Sequence, residues 1–277
     1  MKRFLRPLLK NRNLLMGTVM VLIVILIALF ADVIAPYKFD DANLNNQLEA
    51  PSSNFLFGTD EFGRDLFSRV LFGSRISLRV AVLAALIEIT IGVTLGLLSG
   101  YYGGTTDRIT SFFADLTWSM PPIIMSMAVI TVLGKGLDNV IIAIAIVSWA
   151  QYARIVRAKT QSLKNMAFVE TAVAFNERDL SIMIRYILPN ILPSIIVLAS
   201  LSIPATIMST TALSFLGLGA QHPSPDWGLA LSSSMKNISN APWLAIYPGL
   251  ALVFTVFGFN LLGEGVRDLL DPRLKAR

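Results

Sequence analysis

The sequence predicts an all-α membrane protein, a six-helix transmembrane bundle with a structured loop on its cytoplasmic side. Two observations carry that expectation. Hydrophobic residues make up 54% of the chain and charged residues only 15%, against roughly a quarter charged in soluble domains. The charges are also unevenly spread. Asn13 to Ala31 contains none, and at about 1.5 Å per residue such a run crosses a hydrocarbon core of roughly 30 Å. Similar runs recur down the chain, so neither a single anchor nor a pair of soluble domains fits.

The first helix is predicted over about Leu14–Ala35, stopping at Pro36, whose ring cannot continue a helix smoothly. Lys2, Arg3, Arg6, Lys10 and Arg12 precede it as in a signal peptide, and Val33-Ile34-Ala35 loosely resembles a cleavage site. The apolar run exceeds the ~7–15 residues of a signal-peptide core, so an uncleaved helix is expected. The chain then divides into a cytoplasmic tail (1–13), this helix (14–35), a polar extracytoplasmic segment (36–75), a core with five further helices (76–266) and a cytoplasmic tail (267–277). The core helices are predicted at about Leu78–Leu98, Ser111–Leu133, Asn139–Tyr152, Ile191–Leu216 and Trp243–Leu262.

Orientation follows from charge. Most of the 23 lysines and arginines fall in the N-terminal tail, the 154–190 segment and the C-terminal tail, which puts both termini inside by the positive-inside bias. That bias also accounts for the net charge of +5 without invoking nucleic acid. The 36–75 segment runs against it, with Lys38, Arg64, Arg69 and Arg75, although six acidic residues accompany them. The chain has no cysteine, which excludes disulfides, thiolate chemistry and Cys-ligated metals.

The 154–190 segment is unusual for a membrane loop because its centre is apolar. Phe168, Ala172 and Phe175 recur at i, i+4, i+7, with Val169 and Val173 adjoining. Asn176 follows in a position suited to a left-handed helix end. Asp179 is placed to cap a second helical piece, which Pro189 is expected to end. Helix, sharp turn and helix are therefore predicted on the cytoplasmic side. The apolar face fits either a protein partner or the bilayer surface.

Phe168 to Pro189 resembles the EAA loop of ABC-importer permeases. Glu170 and Ala172 match its first and third letters, Ile182 falls in the later apolar part, and Leu188-Pro189 match its end. Thr171 stands for the middle Ala, Asn176 for the usual Gly and Tyr186 for a frequent His. Six further blocks are similar to the dipeptide, oligopeptide and nickel permeases, C-type subunit. They are FGTDEFGRDLFSRVLFGSRISL (57–78), GYYGG (100–104), WAQYARIVRA (149–158), LSFLGLGAQHPSPDWG (213–228), PWLAIYPGLAL (242–252) and FNLLGEGVRDLLDPRLK (259–275). The resemblance implies a heterodimer with a B-type permease, two cytoplasmic ATP-binding subunits and an extracytoplasmic solute-binding protein. It further implies that Phe168, Glu170, Thr171, Ala172, Asn176, Tyr186, Leu188 and Pro189 form the ATPase-coupling loop. The 217–242 loop would then face the binding protein. Peptides, nickel or other metal chelates and glutathione-like compounds are the solutes implied.

Polar residues elsewhere suggest structure more than chemistry. Asp60, Arg64, Asp65 and Arg69 are spaced for local ion pairs, and Asp268, Asp271 and Arg273 for capping and pairing at the cytoplasmic surface. Glu88 and Asp115 lie inside predicted spans, where a bare charge costs several kcal/mol. Glu88 is the one possible pathway residue; Asp115, early in its span, is expected to face a neighbouring helix or to be pulled to the span end. Pro121-Pro122, Pro193 and Pro204 can kink or break their helices. His222 is the only histidine, poor material for a metal site. No phosphate-binding G-x-x-x-x-G-K-[ST], H-E-x-x-H or Ser/His/Asp set occurs, so no catalytic site and no cofactor are expected. The rivals are a proton-driven transporter using Glu88, a membrane-embedded enzyme, and a non-transporting scaffold.

Overall fold

A computed structural model describes residues 11–270; the expectations for Lys2 to Lys10 and for Asp271 and Arg273 lie outside them. Within this range the chain is nearly all helix. Helix α1 (Arg12–Ile34) ends two residues before Pro36. The polar segment that follows carries one 3₁₀ turn, Leu44–Asn46. It ends ten residues earlier than the sequence suggested, because α2 (Leu66–Tyr102) starts where Asp65 accepts the Ser68 N–H at 2.8 Å.

The predicted third span is two helices, α3 (Gly104–Trp118) and α4 (Pro122–Leu133), bent by 96°. Pro121 and Pro122 cause the break. Neither has an N–H to donate, and each ring collides with a helical carbonyl four residues back. Helix α5 (Leu137–Lys164) extends well past the expected Tyr152. After it come the short α6 (Ala167–Ala174), then α7 (Asp179–Phe215), α8 (Trp227–Ser234) and α9 (Trp243–Leu270). Pro189 does not end a helix as expected. It lies in the first turn after a π-helical stretch, Met183–Ile187, where Leu188 N–H reaches back to the Met183 carbonyl. That wider turn absorbs the ring that would otherwise meet the Arg185 carbonyl.

Helices α2 and α5 make the central pair. Gly92, Gly96 and Gly100 form a stripe on α2 against which the α5 backbone lies. A Cβ on Gly96 would sit 2.7 Å from the Ala153 carbonyl, and one on Gly100 would sit 2.7 Å from that of Arg157. Small residues at four-residue spacing let helix backbones approach this closely. The register also fixes direction. Arg79 pairs with Asp138, Gly92 meets Tyr152, and Gly100 meets Thr160, so the two helices run parallel. The connection between parallel spans must recross the membrane, so bent α3–α4 serves as one broken span. Six crossings result: five long apolar helices and this pair.

Helix α1 packs antiparallel to α9 by the same device. Gly17 lies against Leu262, and Gly265 against Leu14. Asn11 donates to Asp268 at 3.0 Å, so the two ends of the described chain meet at one end of the bundle.

Candidate functional site

The segment between α5 and α7 is built onto that same end. Lys164, the last residue of α5, donates to the Tyr101 carbonyl at 2.6 Å. Tyr101, from the GYYGG block, donates its hydroxyl to Asp179 at 2.9 Å. One tyrosine thus ties the ends of α2 and α5 to the start of α7. Asp179 is the first helical residue rather than the cap, which is Arg178. Its carboxylate was free for Tyr101.

Helix α6 lies across these ends with two unlike faces. Val169 and Ala172 are buried against Ile182, Met183 and Ile187 of α7 and Val156 of α5. Phe168 and Phe175 point away from the chain, 39% and 81% exposed, with Thr171 between them. Ala172 shares a helical stripe with the two phenylalanines in sequence, but it occupies the edge that rolls inward. Leu180 and Ile184 extend the exposed apolar surface onto α7.

The turn after α6 has the geometry expected of Asn176. Its φ is +57°, its N–H bonds the Val173 carbonyl at 2.9 Å, and Glu177 N–H bonds that of Ala172 at 3.1 Å. This is the paired 5→2 and 6→1 pattern of a Schellman end. Asn replaces the usual Gly because it tolerates the left-handed region best among residues with a Cβ. Glu177 then accepts from Tyr186 and Ser181, each at 3.2 Å, closing the turn against α7. Glu170 is exposed on the outer side of α6. Leu188 and Pro189 follow directly on the π-helical stretch of α7.

At the opposite end, the 36–65 segment forms a cap. Asp60 accepts from Arg64 at 2.7 Å and lies 3.4 Å from Arg69, with all three side chains buried. Arg69 also donates to the carbonyls of Phe39, Pro223 and Ser224, binding the cap to the 217–226 loop. Asp226 caps α8 through Leu229 N–H, and its burial raises its pKa from the usual carboxylate value. His222 lies beside Phe62, and burial followed by the Arg64 charge lowers its pKa. Asp60, Arg64 and Arg69 pair locally, as their spacing predicted, whereas Asp65 caps α2 through Ser68 instead of pairing.

Glu88 is fully enclosed on α2, and neither carboxyl oxygen has a hydrogen-bond partner among the described residues. Tyr152 of α5 packs one turn below, against Gly92, with its hydroxyl 2.7 Å from that of Ser202 on α7. Asp115 is exposed and paired with Arg154 of α5 at 2.6 Å. Asp107 is bound twice by Arg157 nearby, once at 2.6 Å. Sequence reasoning missed this α3–α5 clamp and the Tyr101 tie. The bonded residues are 39 to 78 positions apart, so no local spacing reveals them.

Residues 92–276 match a family described as binding-protein-dependent transport system inner membrane component, and residues 1–51 match the N-terminal transmembrane domain of oligopeptide transport permease C. A dipeptide transport system permease protein of Alkalihalophilus pseudofirmus is 41% identical, over 98% of this chain and 89% of that protein. A glutathione transport system permease protein of Escherichia coli is 44% identical, over 98% and 90%. Among solved structures, an inward-facing MetNI methionine ABC transporter superposes with a TM-score of 0.57, covering 73% of this chain and 96% of that chain at 18% identity. That likeness speaks to the fold alone.

Proposed function

Because the chain belongs to the family of binding-protein-dependent inner-membrane transport components, as a permease of an ABC importer, we propose that ATP-binding subunits drive it through the exposed face of α6. The observation that carries this reading is the division of α6. Two aromatic side chains are exposed, Phe168 at 39% and Phe175 at 81%, while Val169 and Ala172 fasten the helix to α5 and α7. An exposed apolar patch on a rigid support marks an interaction surface. A push on Phe168 and Phe175 would pass through the Tyr101–Asp179 and Glu177–Tyr186 bonds into α2 and α7. Glu170 and Thr171 border the patch, and Asn176 sets its edge. The resulting movement is a rigid-body change of access, without covalent chemistry; ATP hydrolysis belongs to the separate subunits.

The end of the bundle that carries α6 and the chain termini is assigned to the cytoplasm, supported by the Lys and Arg bias. The cap and the 217–242 loop then face outward, where a solute-binding protein would dock. A B-type permease is the proposed partner within the membrane. The exposed Phe112, Phe113, Leu116, Ile123 and Ile124 on the bent α3–α4 pair support a protein contact there. The solute is proposed to be a small peptide or glutathione-like compound, on the strength of relatives named for dipeptide and glutathione transport. Nickel or another metal chelate rests on sequence resemblance only.

The Phe168→Glu/Phe175→Glu double variant tests the drive. It should enter the membrane and pair with its partner permease, yet lose co-purifying ATPase and at least tenfold of uptake. Full uptake with the ATPases still attached would remove α6 from the coupling role.

A further inference from the structure

A groove of about 710 Å³ runs between α1 and α2 near the capped end of the bundle. Its floor is apolar, formed by Ile25, Ala28 and Leu29 of α1 and Leu78, Val82 and Leu83 of α2. Its mouth is charged on both sides. Arg75 pairs with Asp32 at 2.9 Å, and Arg79 pairs with Asp138 of α5 at 3.0 Å. Arg75 is held in place by its Nε, which donates to the Ala28 carbonyl at 2.9 Å. All four side chains are 43% exposed or more.

The depths of these two parts match. Seven residues separate Ile25 from Asp32 on α1, and seven separate Arg75 from Val82 on α2, about 10 Å of helix in each case. The apolar floor therefore lies within one leaflet of a bilayer whose half-thickness is about 15 Å, with the charges at its polar edge. Exposed ion pairs of this kind contribute roughly 0–1 kcal/mol and open readily for a better partner. A second apolar helix laid into the groove would instead strip water from both guanidinium groups and offer them no new partner.

We propose that this groove binds a zwitterionic aminophospholipid. Its phosphate meets Arg75 and Arg79, its ammonium meets Asp32 and Asp138, and one acyl chain lies along the floor. The two charge signs at the mouth match the two signs of the headgroup, which a purely anionic lipid lacks. Bound there, the lipid fills the side of α1 away from α9 and fixes the first helix to the core. That the mouth lies in the outer leaflet rests on the orientation proposed above; the binding itself does not.

Native mass spectrometry of the whole purified transporter, equilibrated with vesicles of phosphatidylethanolamine and phosphatidylglycerol in equal parts, reads this directly. The wild type should retain phosphatidylethanolamine in preference. Arg75→Gln/Arg79→Gln should lower that retention about tenfold, the scale of a lost charge-assisted hydrogen bond. Val82→Trp, which fills the floor and leaves the mouth untouched, should lower it similarly with unchanged subunit composition. Wild-type retention in both variants, or equal retention of the two lipids by the wild type, would overturn the proposal. So would photo-cross-linking from position 29 to the partner permease rather than to lipid.

Discussion

Ala172 and Phe175 stand three residues apart on α6, yet one is 5% exposed and the other 81%. They should respond to substitution in different ways. Ala172→Asp places an unpaired carboxylate against Ile182 and Ile187, at a cost of several kcal/mol. The permease itself should melt at a markedly lower temperature in detergent. Phe175→Glu should leave that melting temperature within a few degrees. Equal melting of the Ala172 variant and the wild type would mean that α6 is not packed as described. Glu88 raises a separate question at the same scale. Its oxygens make no hydrogen bond of ordinary geometry among the described residues, inside the central α2–α5 pair. If the importer is driven by ATP, Glu88→Gln keeps the shape of the side chain and uptake should persist. Loss of uptake with normal assembly would make Glu88 a pathway residue.

The helices themselves were largely legible in the sequence, because an uncharged run of membrane length has few other readings. Their ends were not. Helix α2 starts at Leu66, inside a stretch that reads as polar. The charges there are consumed by the local Asp60–Arg64–Arg69 cluster and by the bonds of Arg69 to the Pro223 and Ser224 carbonyls, and such distant bonds leave no mark in local composition. Pro121-Pro122 did announce a break, but its 96° angle depends on where α3 and α4 find support. At Pro189 the same residue type misled, since a π turn absorbed the ring. The glycine stripe on α2 was visible as single glycines only; its meaning came from the α5 backbone lying against it. Gly96→Leu should collide with Ala153 and Val156, push α5 away from α2 and destabilise the bundle by about 1–3 kcal/mol or more. Thermal unfolding of the purified permease measures this. No change would imply that the two helices are not in backbone contact.

At the scale of the molecule, two ends of one bundle are specialised differently. The capped end buries its Asp60–Arg64–Arg69 cluster and ties 36–65 to 217–226 through Arg69. The other end gathers Asn11 and Asp268, Tyr101, Lys164 and α6, and leaves Phe168 and Phe175 uncovered. The candidate loop was readable from sequence as helix, turn and helix, and Asn176 marked the turn correctly. Which face of α6 turns inward was not readable, because Ala172 and Phe168 share a stripe until α7 folds over one edge of it.

The absence of cysteine from the chain permits a direct test of that polarity. A single cysteine is introduced at Phe175, or at Gln221 in the capped-end loop, and the assembled transporter is treated with a short thiol-to-amine cross-linker. Position 175 should capture an ATP-binding subunit and position 221 should not. Cross-linking to the ATPase from position 221, or none from position 175 in an active complex, would contradict the assignment of α6 as the driven surface.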